Sequence, residues 1–153
     1  MLRLTLFIMV TVLSLSGCKT VQLEQDQGII GQLYWLEGNH MPQVIEDDNP
    51  AGRSSERNIQ RTLLIYELTR LNQLEQTNGL FSEPPTPLVA RVTSDKSGQF
   101  KVGLPPGNYS VFTLEKEGLF ANIFDGEMNV NPVAITSEEW VIINIKIDYK
   151  AFY

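Results

Sequence analysis

The last third of this 153-residue chain alternates apolar and polar residues with a period of two, and this pattern constrains the fold most. One face of segment 140–149 carries Val141, Ile143, Ile145, Ile147 and Tyr149, and the other carries Trp140, Ile142, Asn144, Lys146 and Asp148. Successive side chains of a strand point to opposite sides, and β-branched residues favour strands. The segment therefore predicts a β-strand with one face buried.

Five further segments predict strands, and turn residues separate several of them. The segments are 28–36, 88–94, 99–104, 109–115 and 130–135. Asp95-Lys96-Ser97-Gly98 predicts a turn, because aspartate bonds nearby backbone N–H groups and glycine accepts a positive φ. We therefore expect 88–94 and 99–104 to form a β-hairpin. Pro105-Pro106-Gly107 ends the second of these strands.

Segment 61–68 is compatible with two structures. It predicts either a fully buried strand or part of a helix over 54–77, which would begin at a serine cap and end at Asn78-Gly79. The surrounding strands favour the strand, which brings the count to about seven and predicts a sandwich. The connections 37–60 and 69–87 are long, and loops of this length are uncommon unless they are functional or disordered.

Two motifs resemble a known family. Asp95-Lys96-Ser97-Gly98-Gln99-Phe100 is followed by Leu104-Pro105-Pro106-Gly107-Asn108-Tyr109, and this order resembles the core motif of carboxypeptidase regulatory-like domains. Segment 28–33 is similar to the family's opening strand. The resemblance implies an all-β, seven-stranded Greek-key β-sandwich of the transthyretin type over 28–153, without catalytic residues. The long segment after Met41-Pro42 departs from the family pattern.

The N-terminus has the layout of a secretory signal peptide: Arg3, an apolar run over 4–12, then small residues. The run is too short to span a bilayer. Leu15-Ser16-Gly17-Cys18 resembles a bacterial lipobox, which implies a cleaved signal peptide over 1–17, a lipid on Cys18 and a polar tether over 18–27. Lys19 resembles the outer-membrane-sorted class of such proteins. The alternative is an ordinary signal peptide with a coincidental cysteine.

Composition argues against several classes of function. The chain has 12 basic and 18 acidic residues, a net charge of −6 at pH 7, and nucleic-acid binding requires a basic face. His40 is the only histidine and Cys18 the only cysteine, so we expect no zinc site of nitrogen and sulfur ligands. Glu46-Asp47-Asp48 predicts a solvated loop rather than a calcium site. We expect no cofactor, no metal and no enzymatic activity.

Aromatic residues are the remaining candidates for a binding surface, with core packing as the alternative. The candidates are Trp35, Trp140, Phe120 and Phe124. Trp140 lies opposite the main apolar face of its strand. The sequence thus predicts a non-catalytic, lipid-anchored envelope protein that binds or assembles with another envelope protein. The alternatives are a surface lipoprotein that binds carbohydrate or peptide, and a hydrolase with a carboxylate site that the sequence does not reveal.

Overall fold

The structure is a computed structural model, and it describes residues 26–39 and 55–152. Cys18, His40 and the carboxylates at 46–48 lie outside the described residues. Within them the protein is an all-β sandwich of two sheets. The strands are β1 (Gly28–Asn39), β2 (Ser55–Asn58), β3 (Thr62–Glu67), β4 (Gln76–Thr77), β5 (Leu80–Phe81), β6 (Leu88–Thr93), β7 (Gln99–Gly103), β8 (Gly107–Glu115), β9 (Gly118–Phe120), β10 (Pro132–Ile135) and β11 (Trp140–Phe152).

All seven predicted strands are present as β1, β3, β6, β7, β8, β10 and β11. Four short strands add to them. Strand β2 lies within the predicted connection 37–60, and β4 and β5 lie within 69–87. Within the two long connections, these three short strands therefore extend the sheets.

The first sheet is built around β1. Strand β11 runs parallel to β1 along one edge, from Gly28 opposite Trp140 to Asn39 opposite Phe152. On the other edge, β7 pairs antiparallel with residues 28–32 and β2 with residues 34–37. Strand β11 is therefore one complete outer edge of this sheet.

The second sheet is built around β8. Its order is β4-β5-β9-β8-β3-β6, and β10 pairs with the beginning of β8 on the same side as β9. The sheets enclose a core in which the inward residues of the predicted alternation take part: Ile145 and Ile147 of β11 are buried. The buried face predicted for 140–149 is confirmed.

Segment 61–68 contains strand β3, and the alternative helix over 54–77 is wrong. Both faces of β3 are buried, because Leu63 and Ile65 face the core between the sheets, while Leu64 and Tyr66 face outward into a second apolar cluster with Phe112. Parts of 69–87 cover this outer cluster, and a strand covered on both sides is apolar throughout. The run therefore lacks the alternation that would have distinguished it from a helix.

The turn at 95–98 forms as predicted, but the expected hairpin is wrong. Oδ1 of Asp95 accepts hydrogen bonds from the Ser97 hydroxyl (2.7 Å), the Ser97 N–H (2.8 Å) and the Gln99 N–H (2.9 Å). These bonds, led by that of the hydroxyl, hold the pKa of Asp95 below its usual value. Gly98 has a φ of 81°, and a Cβ there would lie 2.5 Å from the Leu33 oxygen. The turn leads from β6 in the second sheet to β7 in the first, so the two strands do not pair with each other.

The Leu-Pro-Pro-Gly element carries the chain back from β7 to β8, and hence from the first sheet to the second. The Tyr109 hydroxyl donates to the Pro105 carbonyl at 2.8 Å, which ties the turn to the strand that follows it. Burial raises the pKa of Tyr109. The motif therefore closes one end of the sandwich.

Candidate functional site

The four predicted aromatic residues do not form one surface. Trp35 and Phe120 are buried, and both rings pack against Tyr149, with centroid distances of 5.5 and 5.7 Å. Core packing thus accounts for these two. Trp140 is half-buried on the outer face of the first sheet, whereas Phe124 is exposed and contacts the ring of Phe81 in the second sheet. The two accessible rings therefore belong to different surfaces.

A buried carboxylate joins the two sheets near Trp35. The Glu115 side chain is 2% exposed and lies 3.2 and 3.3 Å from Nε of Arg61. The Tyr149 hydroxyl donates to the same carboxylate at 3.2 Å. Burial raises the pKa of Tyr149, and the charge of Glu115 adds to the effect. Because its oxygens are held by a cation just before β3 and by a hydroxyl of β11, we assign Glu115 a structural role.

Along its outer edge, the backbone of β11 has hydrogen-bonding groups that no other strand of the described residues pairs with. The N–H of Gly28 donates to the Glu139 carbonyl at 3.0 Å, so in this parallel pair the odd-numbered residues of β11 up to Ile147 point their backbone groups toward β1. The even-numbered residues point outward, as Lys146 shows by accepting a bond from Nδ2 of Asn122 at 3.1 Å.

Three successive even-numbered residues along this edge therefore have backbone N–H and C=O groups that face outward: Trp140, Ile142 and Asn144. In the described part of the chain no strand pairs with them. The Ile142 side chain is 70% exposed. An apolar cleft of about 70 Å³ adjoins the edge and is lined by Val111, Ile123, Asn131, Pro132, Val133, Ile143, Asn144 and Ile145.

A shallow depression of about 390 Å³ lies on the outer face of the first sheet. It is lined by Ile30, Gly31, Gln32, Gln99, Phe100, Ile142 and Asn144, none of which carries a charge. Trp140 lies near one end of this face, with Nζ of Lys101 4.3 Å from its ring centroid. The depression offers amide groups and aliphatic surface together.

A hollow of about 440 Å³ lies on the outer face of the second sheet. Arg91 and three glutamates, Glu75, Glu83 and Glu117, surround a floor that includes Leu64 and Leu119. Burial raises the pKa of Tyr66 beside this hollow, and the charge of Glu83 raises it further. The hollow is amphipathic, and its carboxylates outnumber its guanidinium.

Neither the edge of β11 nor the depression was predicted from the sequence. Periodicity assigned Ile142 to the polar face of its strand, and an isoleucine among polar residues was the available signal. Which edge of a strand stays unpaired depends on the order of strands in the sheet, which the alternation of one strand does not contain.

Among residues 26–39 and 55–152, no three His, Cys, Asp or Glu side chains converge as a metal ion would require. The same part of the chain has no helix with the length and hydropathy of a bilayer-spanning segment. Comparison with known proteins found no match to this chain among family models, curated proteins or solved structures.

Proposed function

We propose that this chain is a non-catalytic, lipid-anchored envelope protein that binds another envelope protein. It would accept an extended segment of that partner as an additional strand along β11. The observation that carries the proposal is the outward row of backbone groups at Trp140, Ile142 and Asn144, which have no strand partner within residues 26–39 and 55–152. Strand addition uses such main-chain groups for affinity and neighbouring pockets for specificity.

The edge lacks the usual features that prevent pairing. Proteins protect edge strands with proline, bulges, charged residues or short length. In β11, the irregularity in register comes only beyond Ile147, and residues 140–145 contain neither proline nor charge. Protection begins at Lys146, where Asn122 occupies the carbonyl. The part of the edge available for pairing therefore ends before Lys146.

The adjoining side chains add apolar surface for a partner. Ile142 lies on the outer face of the sheet and is 70% exposed, while Ile123, beside the cleft, is 55% exposed. Fully burying an aliphatic side chain of this size contributes about 1.5–3 kcal/mol. Each added backbone hydrogen bond contributes about 1 kcal/mol net. A partner strand with apolar side chains would both bond the outward backbone groups and cover the exposed isoleucines.

The anchor in this proposal is a lipid on Cys18, in the outer membrane of a bacterial envelope. It is supported by the signal-like N-terminus and the lipobox-like residues before Cys18. The polar residues 19–27 would reach at most about 30 Å if extended. The sandwich would therefore meet partners that lie close to the membrane surface.

The test is crosslinking and co-purification of the partner with the full lipidated chain. The wild type is compared with two single variants at one position, Ile142→Pro and Ile142→Thr. Ile142→Pro removes an outward N–H that β1 does not use, so the fold should persist, since edge strands tolerate such a proline. Ile142→Thr keeps the N–H and the β-branched shape. We expect the partner to be lost with proline and retained, though weakened, with threonine. Capture of the same partner by the proline variant, or of none by the wild-type chain, would refute the proposal.

A further inference from the structure

The depression on the first sheet has two side-chain amides with no hydrogen-bond partner among the described residues, and these could bind a ligand. Gln32 is already held, because its Nε2 donates to the Ser97 carbonyl at 3.0 Å and its Oε1 accepts from the Tyr34 hydroxyl at 3.2 Å. Within the described part of the chain, the amides of Gln99 and Asn144 make no side-chain hydrogen bond. Each of the two can donate and accept at once.

The depression also has an aliphatic part. Ile30 and the exposed Ile142 lie beside the two free amides on the same outer face. Among the described residues, none of those that line the depression is charged, so its own lining does not favour a carboxylate, phosphate or ammonium group. Its chemistry fits a neutral ligand that combines small apolar groups with amide or hydroxyl groups.

We propose that this depression binds neutral N-acetylated saccharides. The methyl of an acetamido group would contact Ile30 and Ile142, and its N–H and C=O would pair with the amides of Gln99 and Asn144. Ring hydroxyls would use the remaining donors and acceptors. The Trp140 ring has Lys101 over one face, so the proposal does not depend on stacking there.

The site shares the Ile142 side chain with the protein contact proposed for β11, but the two proposals depend on different groups. Strand addition depends on outward backbone groups of β11, whereas sugar binding depends on the side-chain amides of Gln99 and Asn144. Gln99 belongs to β7, on the opposite side of β1 from β11. A substitution at Gln99 therefore tests the sugar site without altering the free edge, and either proposal can fail alone.

The test is calorimetric titration of the folded protein with chitotetraose and with cellotetraose. The two share a β-1,4 backbone and differ in the acetamido group. We expect chitotetraose to bind roughly tenfold more tightly, because cellotetraose leaves the amides of the site without their acetamido partners. Equal affinity, or no heat with either sugar at millimolar concentration, would overturn the proposal.

Paired substitutions locate the site. Gln99→Ala should weaken chitotetraose binding about fivefold, as expected for one lost hydrogen bond, and the double variant with Asn144→Ala should abolish it. The control removes two exposed amides elsewhere, Asn72→Ala with Gln76→Ala, and should bind as the wild type does. Unchanged binding by the Gln99 and Asn144 double variant, or preferential binding of an uncharged alanine tetrapeptide, would refute the assignment.

Discussion

The contact between Arg61 and Glu115 predicts an unusual pattern of stabilities. The Glu115 carboxylate is 2% exposed with Arg61 in place, and after Arg61→Met the Tyr149 hydroxyl would be its one remaining side-chain donor among the described residues. Breaking a buried ion pair from one side costs about 3–5 kcal/mol. Because Tyr149 remains and Arg61 itself is 30% exposed, we expect about 3 kcal/mol.

The carboxylate partner should be less sensitive. Glu115→Gln keeps an oxygen that can accept from both Arg61 and Tyr149, and it leaves a guanidinium that is still partly in water. The cost should be about 1–1.5 kcal/mol, the difference between a charged and a neutral hydrogen bond. In the double variant no charge remains buried, so its loss should be about 1–2 kcal/mol. The second substitution thus restores stability lost through the first.

Equilibrium urea unfolding followed by circular dichroism measures the free energy of unfolding of the wild type, the two single variants and the double variant. Equal m values would support comparison between them. The reasoning is refuted if Arg61→Met costs less than about 1 kcal/mol, or if the double variant is less stable than Arg61→Met alone. Either result would mean that Glu115 reaches water when Arg61 is absent.

Four further outcomes are expected. Gly98→Ala should cost about 2 kcal/mol, because of its positive φ and the close backbone oxygen, whereas Gly126→Ala, with nothing within 4 Å, should change urea stability by less than about 0.5 kcal/mol. Phe112→Ala should cost about 3–5 kcal/mol in the same assay, and a loss under 1 kcal/mol would contradict its burial in the outer cluster. Folding lowers the pKa of Asp95 from 3.8, so the stabilisation by this carboxylate is present above pH 3.8 and is lost as the pH falls below it. The difference in Tm between the wild type and Asp95→Ala should therefore narrow as the pH falls below 3.8. A difference that stays constant would contradict this. Cys18→Ala should abolish labelling of the chain by a palmitate analogue in cells, and a variant that still labels would disprove the anchor.

Strands with one buried face were predictable because their chemistry is local. The alternation over 140–149 places Ile145 and Ile147 inward whatever the neighbouring strands are. The turn at Asp95 was predictable for the same reason, since its side chain bonds N–H groups two and four residues away. Such patterns need no knowledge of the rest of the fold.

The partners of those strands were not predictable. The turn after β6 could equally lead into a hairpin or across to the other sheet, and the pairing of β7 with β1 decides between the two. Tertiary structure likewise buried Trp35 and Phe120, exposed Ile142 and, in the part of the chain that is described, placed β11 at an edge of its sheet. Which residues form strands and turns follows from local sequence, because those preferences act within a few residues. The surfaces available for binding were decided by the tertiary structure, because exposure depends on which distant segment covers each face and edge.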